Sequence, residues 1–158
     1  MNNDIALRII KSGKLSVPQM LEIGNEANSS KVWQAIVLSG MLTDGQLLEI
    51  KGKTPSPEVL YSIINIGALS AEQIFEIAKE VIEIDDQKNL LAIIKTGLLS
   101  AMKMMEVGKK FRGGSDINIW LCIIGTGTLS VDQLMEIGKC VEEGDDIWYA
   151  IADQLEKL

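Results

Sequence analysis

The chain has 158 residues, 47% hydrophobic and 23% charged, with 15 Lys+Arg against 22 Asp+Glu for a formal charge of −7. This length and apolar content suit one globular domain, and the three prolines and the lack of any apolar run near the ~18 residues of a bilayer span argue against wholesale disorder and against membrane insertion. Histidine is absent, which excludes imidazole-based triads, zinc sites and proton shuttles, and the acidic balance disfavours direct nucleic-acid binding, which needs clustered Lys and Arg.

The first predicted element is an amphipathic helix that starts near residue 4 and ends after Ile9-Ile10, because Gly13 suits the left-handed residue that terminates helices. Ser16 then stands at the N-cap of a second helix, and Gln19, three residues on, completes a capping box. Leu15 before the cap and Met20 inside the helix form a hydrophobic staple, so three signals agree on one boundary. The pattern returns four times. Helix A of the second copy starts at Ser30-Lys31 and ends before Gly40; Leu42, Thr43, Gln46 and Leu47 open helix B. The third copy starts at Ser56, with Pro57 at the first helical position, and reaches Gly67, Leu69, Ser70, Gln73 and Ile74. The fourth starts at Asp85 or Asp86 and continues with Gly97, Leu99, Ser100 and Met104, with Lys103 breaking the capping box. The fifth starts at Ser115-Asp116 and continues with Gly127, Leu129, Ser130, Gln133 and Leu134. Asp145-Asp146 opens one last helix through Leu158. Aligning Ile151 with Ile123 puts Trp33, Trp120 and Trp148 at one repeat position.

The glycines at 13, 40, 67, 97 and 127 are 27, 27, 30 and 30 residues apart, so the chain is a repeat protein. Helices of about ten residues are marginal alone in water and persist by stacking on their neighbours. The expected fold is therefore all-α: an α-solenoid of five helical hairpins and a C-terminal capping helix in a single repeat domain. The repeats are expected at 4–27, 31–53, 57–82, 87–112 and 116–143, and the capping helix at 145–157. The inter-repeat loops are expected at 25–30, 51–56, 84–87, 113–115 and 142–145. In architecture this resembles the HEAT and tetratricopeptide classes, although the repeat is shorter than theirs and carries no Trp-x-x-Leu-Gly-x-x-Tyr pattern.

The residues that imitate chemistry are better explained by the repeat. Gly125-Thr126-Gly127 and Gly52-Lys53-Thr54 look like fragments of phosphate-binding loops, but no strand precedes either one. The methionines and tryptophans lie in the apolar register and read as core in preference to an adaptable groove. Cys122 and Cys140 read as inert thiols in a reducing, cytoplasmic setting, since the start Met-Asn-Asn-Asp carries no secretory pattern. The acidic runs 83–86 and 142–146 lack the alternating ligands of a calcium loop and read as helix caps. No catalytic, cofactor or metal site is expected.

One set remains. Glu22, Glu49, Glu76, Glu106 and Glu136 recur at the sixth residue of each helix B, a carboxylate ladder able to meet the Lys and Arg of a partner. The expectation is a non-enzymatic repeat protein that binds another protein with a basic surface and acts as adaptor or inhibitor. The alternative is an acidic nucleic-acid mimic of the sort small virus-encoded antagonists use to block a DNA- or RNA-binding protein. A carboxylate enzyme is a third and weaker reading, because the ladder is regular, not convergent. The bland reading of the same glutamates is a solvated helix face or ties between neighbouring repeats.

Overall fold

The computed structural model describes residues 1–142 and 144–158. These residues form eleven α-helices and one 3-10 turn, with no strand among them: α1 Asn3–Lys11, α2 Val17–Ala27, α3 Ser30–Leu38, α4 Asp44–Lys53, α5 Pro57–Asn65, α6 Ala71–Glu83, α7 Gln87–Lys95, α8 Ala101–Lys110, the 3-10 turn Phe111–Gly114, α9 Ile117–Gly125, α10 Val131–Cys140 and α11 Asp145–Lys157. The odd-numbered elements are the A helices of the repeats and the even-numbered ones the B helices.

The turn chemistry read from the repeat is present at each copy. Gly13, Gly40, Gly67, Gly97 and Gly127 all follow their helix A with φ between +71° and +77°, a region costly for residues with a Cβ. Ser16, Thr43, Ser70 and Ser130 accept from the N–H three residues on at 3.2–3.3 Å. The matching glutamine Oε1 accepts from the cap N–H at 2.8–2.9 Å, closing four capping boxes. Ser100 keeps only the first bond, from the Lys103 N–H at 3.3 Å, because a lysine side chain has no acceptor to return.

The starts of the A helices follow expectation at three places. Ser56, Asp86 and Asp116 cap α5, α7 and α9 through their side chains. At α3 the boundary moves by one residue. Asn28 is left-handed at the end of α2, so Asn28 and Ser29 join the two helices, and Ser30 is already helical; the Ser29 side chain makes no capping bond. At α11 the cap position belongs to Gly144, with Asp145 and Asp146 inside the first turn. There they complement the helix dipole without capping it. The loops at 25–30 and 51–56 are shorter than expected, since α2 continues to Ala27 and α4 to Lys53. Part of the expected 142–145 loop and the end of the fifth repeat fall on Glu143, outside the described residues.

The chain divides into two compact units, Met1–Leu69 and Ser70–Leu158. In the first, α3 packs against α1, α2 and α5, and α4 against α5. Helices α3 and α5 bury paired columns, Val32, Trp33, Ile36 and Val37 on α3 and Val59, Ile63 and Ile64 on α5, whereas α1 buries only Ala6 and Ile10. In the second, α9 lies between α7 and α11, α6 packs on α7 and α8, and α10 on α11. Leu90, Ile93 and Ile94 on α7 and Ile119, Trp120, Ile123 and Ile124 on α9 form the same double column, while α11 buries Ile147 and Ile151.

Close approach between a B helix and the next A helix is set by small residues. A Cβ on Gly24 would lie 2.6 Å from the Trp33 ring, one on Gly108 2.4 Å from Trp120, and one on Gly138 2.4 Å from Trp148. Where the next A helix carries Leu90 instead of Trp, the glycine position is Ala78, and both are fully buried. Ring and glycine therefore change together along the repeat.

Candidate functional site

In the first unit Glu22 and Glu49 are exposed on α2 and α4, and Glu49 Oε1 lies 3.0 Å from Lys53 Nζ one turn on. Glu22 has no ion-pair partner among the described residues. In the second unit Glu76 on α6 is exposed and pairs with Lys79 at 2.9 Å, and Glu106 on α8, half-buried, pairs with Lys110 at 2.8 Å. Glu136 on α10 accepts from Lys109 of α8, a tie between adjacent repeats. The hydrogen bond from Lys110 holds the Glu106 carboxyl below the usual glutamate range, with Lys79 and Lys103 adding to the effect. Lys79 and Lys103 also stand over the Phe75 ring, each with Nζ 4.8 Å from its centroid. The glutamates thus face solvent as the spacing requires, but four of the five have a lysine beside them. Periodicity in a single residue type cannot reveal this, because the lysine stands four residues on in two repeats, three on in another, and comes from the preceding repeat in the fourth.

The negative charge is unevenly placed. Residues 1–69 hold six acidic and six basic side chains and are neutral; residues 70–158 hold sixteen and nine, and carry the whole −7. Part of it is organised by one arginine. Arg112, itself left-handed at φ +49°, donates through Nε and Nη2 to Asp85 at 2.8 and 3.2 Å and through Nη1 to Asp116 at 2.8 Å. Asp116 is buried, accepts from Gln87 Nε2 at 3.0 Å and caps the Ile119 N–H at 2.9 Å. The guanidinium draws the Asp85 carboxyl below its ordinary range through this hydrogen bond and its charge. Sequence reading finds the two aspartates as caps and misses Arg112, whose signal is only its place ahead of Gly113-Gly114, both left-handed.

The remaining candidates resolve only in part into packing, and the expectation that the methionines and tryptophans are all core fails at Met102, Met135 and Trp148. Met20, Met104, Met105, Trp33 and Trp120 are buried, and Trp120 Nε1 donates to the Gly114 carbonyl at 2.7 Å, whereas Met102, Met135 and Trp148 are exposed. Cys122 is half-buried and Cys140 exposed, both as free thiols; burial raises the Cys122 pKa, opposite to the shift a nucleophile needs. Among the described residues no three His, Cys, Asp or Glu side chains come together in a way that could hold a metal ion, and no helix is long and apolar enough to cross a membrane. The acidic run 142–146 keeps Asp145 and Asp146 at the start of α11, and its Glu143 lies outside the described residues.

No protein-family model, no curated protein and no solved structure matches this chain.

Proposed function

We propose that the chain is a non-enzymatic α-solenoid that binds another protein in a reducing, cytoplasmic setting, as adaptor or inhibitor, with Glu22, Glu49, Glu76, Glu106 and Glu136 meeting a basic partner surface. The solenoid reading is supported by the way α3 packs on α1 and α5, and α9 on α7 and α11, each on the A helix before and after it. The observation that carries the binding reading is that the five equivalent glutamates lie outside the core, held at most by exposed ion pairs. Such pairs contribute about 0–1 kcal/mol each, so the fold makes little demand on these residues and the lysines can be exchanged for a partner's cations at little cost.

The test is the triple variant Glu49→Gln, Glu76→Gln, Glu106→Gln. Its thermal midpoint should stay close to that of the parent, while association with the partner recovered by affinity purification slows and loses its dependence on salt. Cooperative unfolding at much lower temperature, with normal binding by the fraction still folded, would make the glutamates structural ties and end the docking reading. The concentration of all seven net charges between residues 70 and 158 favours one second reading, an acidic nucleic-acid mimic. In that case DNA or RNA would compete with the chain for its partner.

A further inference from the structure

A repeat position keeps one environment along the chain until the first and last A helices, where it changes. Ile5 on α1 shares its position with Val32, Val59, Ile119 and Ile147, each fully buried on a helix that packs against the A helix before it. Helix α1 packs on the A helix after it, α3, and Ile5 is 54% exposed. Ile9 follows suit, half-buried where Ile36, Ile63, Ile123 and Ile151 are buried. On α11 the opposite flank is bare. Trp148 is 40% exposed where Trp33 and Trp120 are buried on helices that pack against the A helix after them. Ala152 is exposed where Val37 and Ile124 are buried, and Tyr149 beside it is 74% exposed. The bare flanks of α1 and α11 are thus the two halves of the contact that α9 makes with α11 and α1 with α3.

Charge selects what covers them. Arg8 stands on the bare flank of α1 beside Ile5 and Ile9, at a position that holds Ala35, Ser62, Ala92, Cys122 and Ala150 in the other copies. It is exposed and has no partner among the described residues. Helix α11 carries Asp145, Asp146, Asp153 and Glu156 against Lys157 alone. At about 3.6 residues per turn, Asp145 and Glu156 share the flank of Trp148 and Ala152, and Asp153 lies at its outer edge. Setting α1 against α1 would bring two arginines together, and α11 against α11 two sets of carboxylates. Only α1 against α11 joins opposite charges.

We propose that the chain associates head to tail with a second copy of itself, the bare flank of α11 in one copy packing on the bare flank of α1 in the next as α9 packs on α11. Trp148, Tyr149 and Ala152 would cover Ile5 and Ile9, and Arg8 would reach Asp153 or Glu156. Such a contact is heterologous, so each pair leaves one flank of each kind free and association continues with concentration unless it closes into a ring. The glutamates at 22, 49, 76, 106 and 136 take no part, and either reading can fail without the other.

The probe is the full chain by itself, followed by sedimentation equilibrium and tryptophan emission from micromolar to millimolar concentration. The average mass should rise above 17.3 kDa, less so in high salt, and emission should move to the blue with it, because Trp148 is the exposed tryptophan and Trp33 and Trp120 are already buried. Arg8→Ala should weaken association about two- to fivefold, the range set by one exposed ion pair. Arg8→Glu, and separately Asp153→Lys with Glu156→Lys, should weaken it further while the helical circular dichroism signal and thermal midpoint stay those of the parent. An equimolar mixture of these two charge-reversed proteins should recover it, because each altered flank then meets its complement. A chain that stays at 17.3 kDa up to millimolar concentration would overturn the proposal and leave the flanks to another occupant. So would tighter association of Arg8→Ala, which would make Arg8 a guard against stacking. Association without a change in tryptophan emission, or without recovery in the mixture, would place the contact on another surface and overturn it equally.

Discussion

Gly108→Ala tests the packing of B helix against A helix most directly. Alanine is the better helix former by about 1 kcal/mol, so on propensity alone the change inside α8 should stabilise. The added Cβ would, however, lie 2.4, 2.6 and 2.9 Å from three atoms of the Trp120 ring. Ordinary contact begins near 3.4 Å, so ring or backbone must retreat by about an ångström. Trp120 is fully buried and its Nε1 is tethered to the Gly114 carbonyl at 2.7 Å, so the ring has no free direction in which to move. Overpacking costs about 1–3 kcal/mol, and an approach a full ångström too close against a tethered ring belongs in the upper half of that range, about 2–3 kcal/mol, leaving a net loss on the order of 1–2 kcal/mol after the propensity gain. In a chain of this length that is a fall in thermal midpoint of about 2–8 °C, measured by the helical circular dichroism signal. Gly52→Ala is the control, since nothing lies within 4 Å of its Cβ position and its helix site is exposed; it should be neutral or slightly stabilising. Gly108→Ala made in a Trp120→Leu background, which recreates the Ala78 and Leu90 combination found elsewhere in the chain, should cost less than the same change in the parent. A Gly108→Ala protein as stable as the parent would refute the steric argument.

Gly67→Val should destabilise by roughly 1–2 kcal/mol or more in urea unfolding, and through the backbone alone, because φ is +77° while the space around the site is open. Ser70→Ala should cost about 1 kcal/mol through the lost cap, and Ser29→Ala clearly less, since Ser29 makes no capping bond; equal losses would contradict the cap assignment. For pH, Asp85 has a lowered pKa in the folded chain, so its stabilising contribution is complete above the unfolded value of 3.8 and disappears as acid carries the pH through the lower folded value. The acid limb of stability against pH should therefore be shallower below about pH 4 in Arg112→Ala than in the parent, as read from urea midpoints across that window.

Much of the local structure was legible without coordinates because it depends on residues within four or five positions of one another. A Ser or Thr with Gln three residues on can satisfy two orphan N–H groups wherever it stands, and a glycine after an Ile-Ile pair can end a helix in any context. Five turns and the helix count therefore follow from spacing alone. The boundary at α3 did not, since whether Ser29 or Ser30 begins the helix depends on Asn28 ending α2 in a left-handed conformation. Other features rest on partners a dozen residues to a whole repeat away. Arg112 meets Asp85 across 27 residues, Lys109 meets Glu136 across 27, and Gly108 is required only because Trp120 comes to rest against it. The glutamate ladder falls between these cases. Its exposure follows from helical period, but its local neutralisation by Lys53, Lys79, Lys110 and Lys109 depends on rotamers and on the packing of neighbouring helices. Two open grooves, one at Lys11 and one at Lys95, belong wholly to the tertiary structure, because the volume left between two helices depends on where each backbone comes to rest.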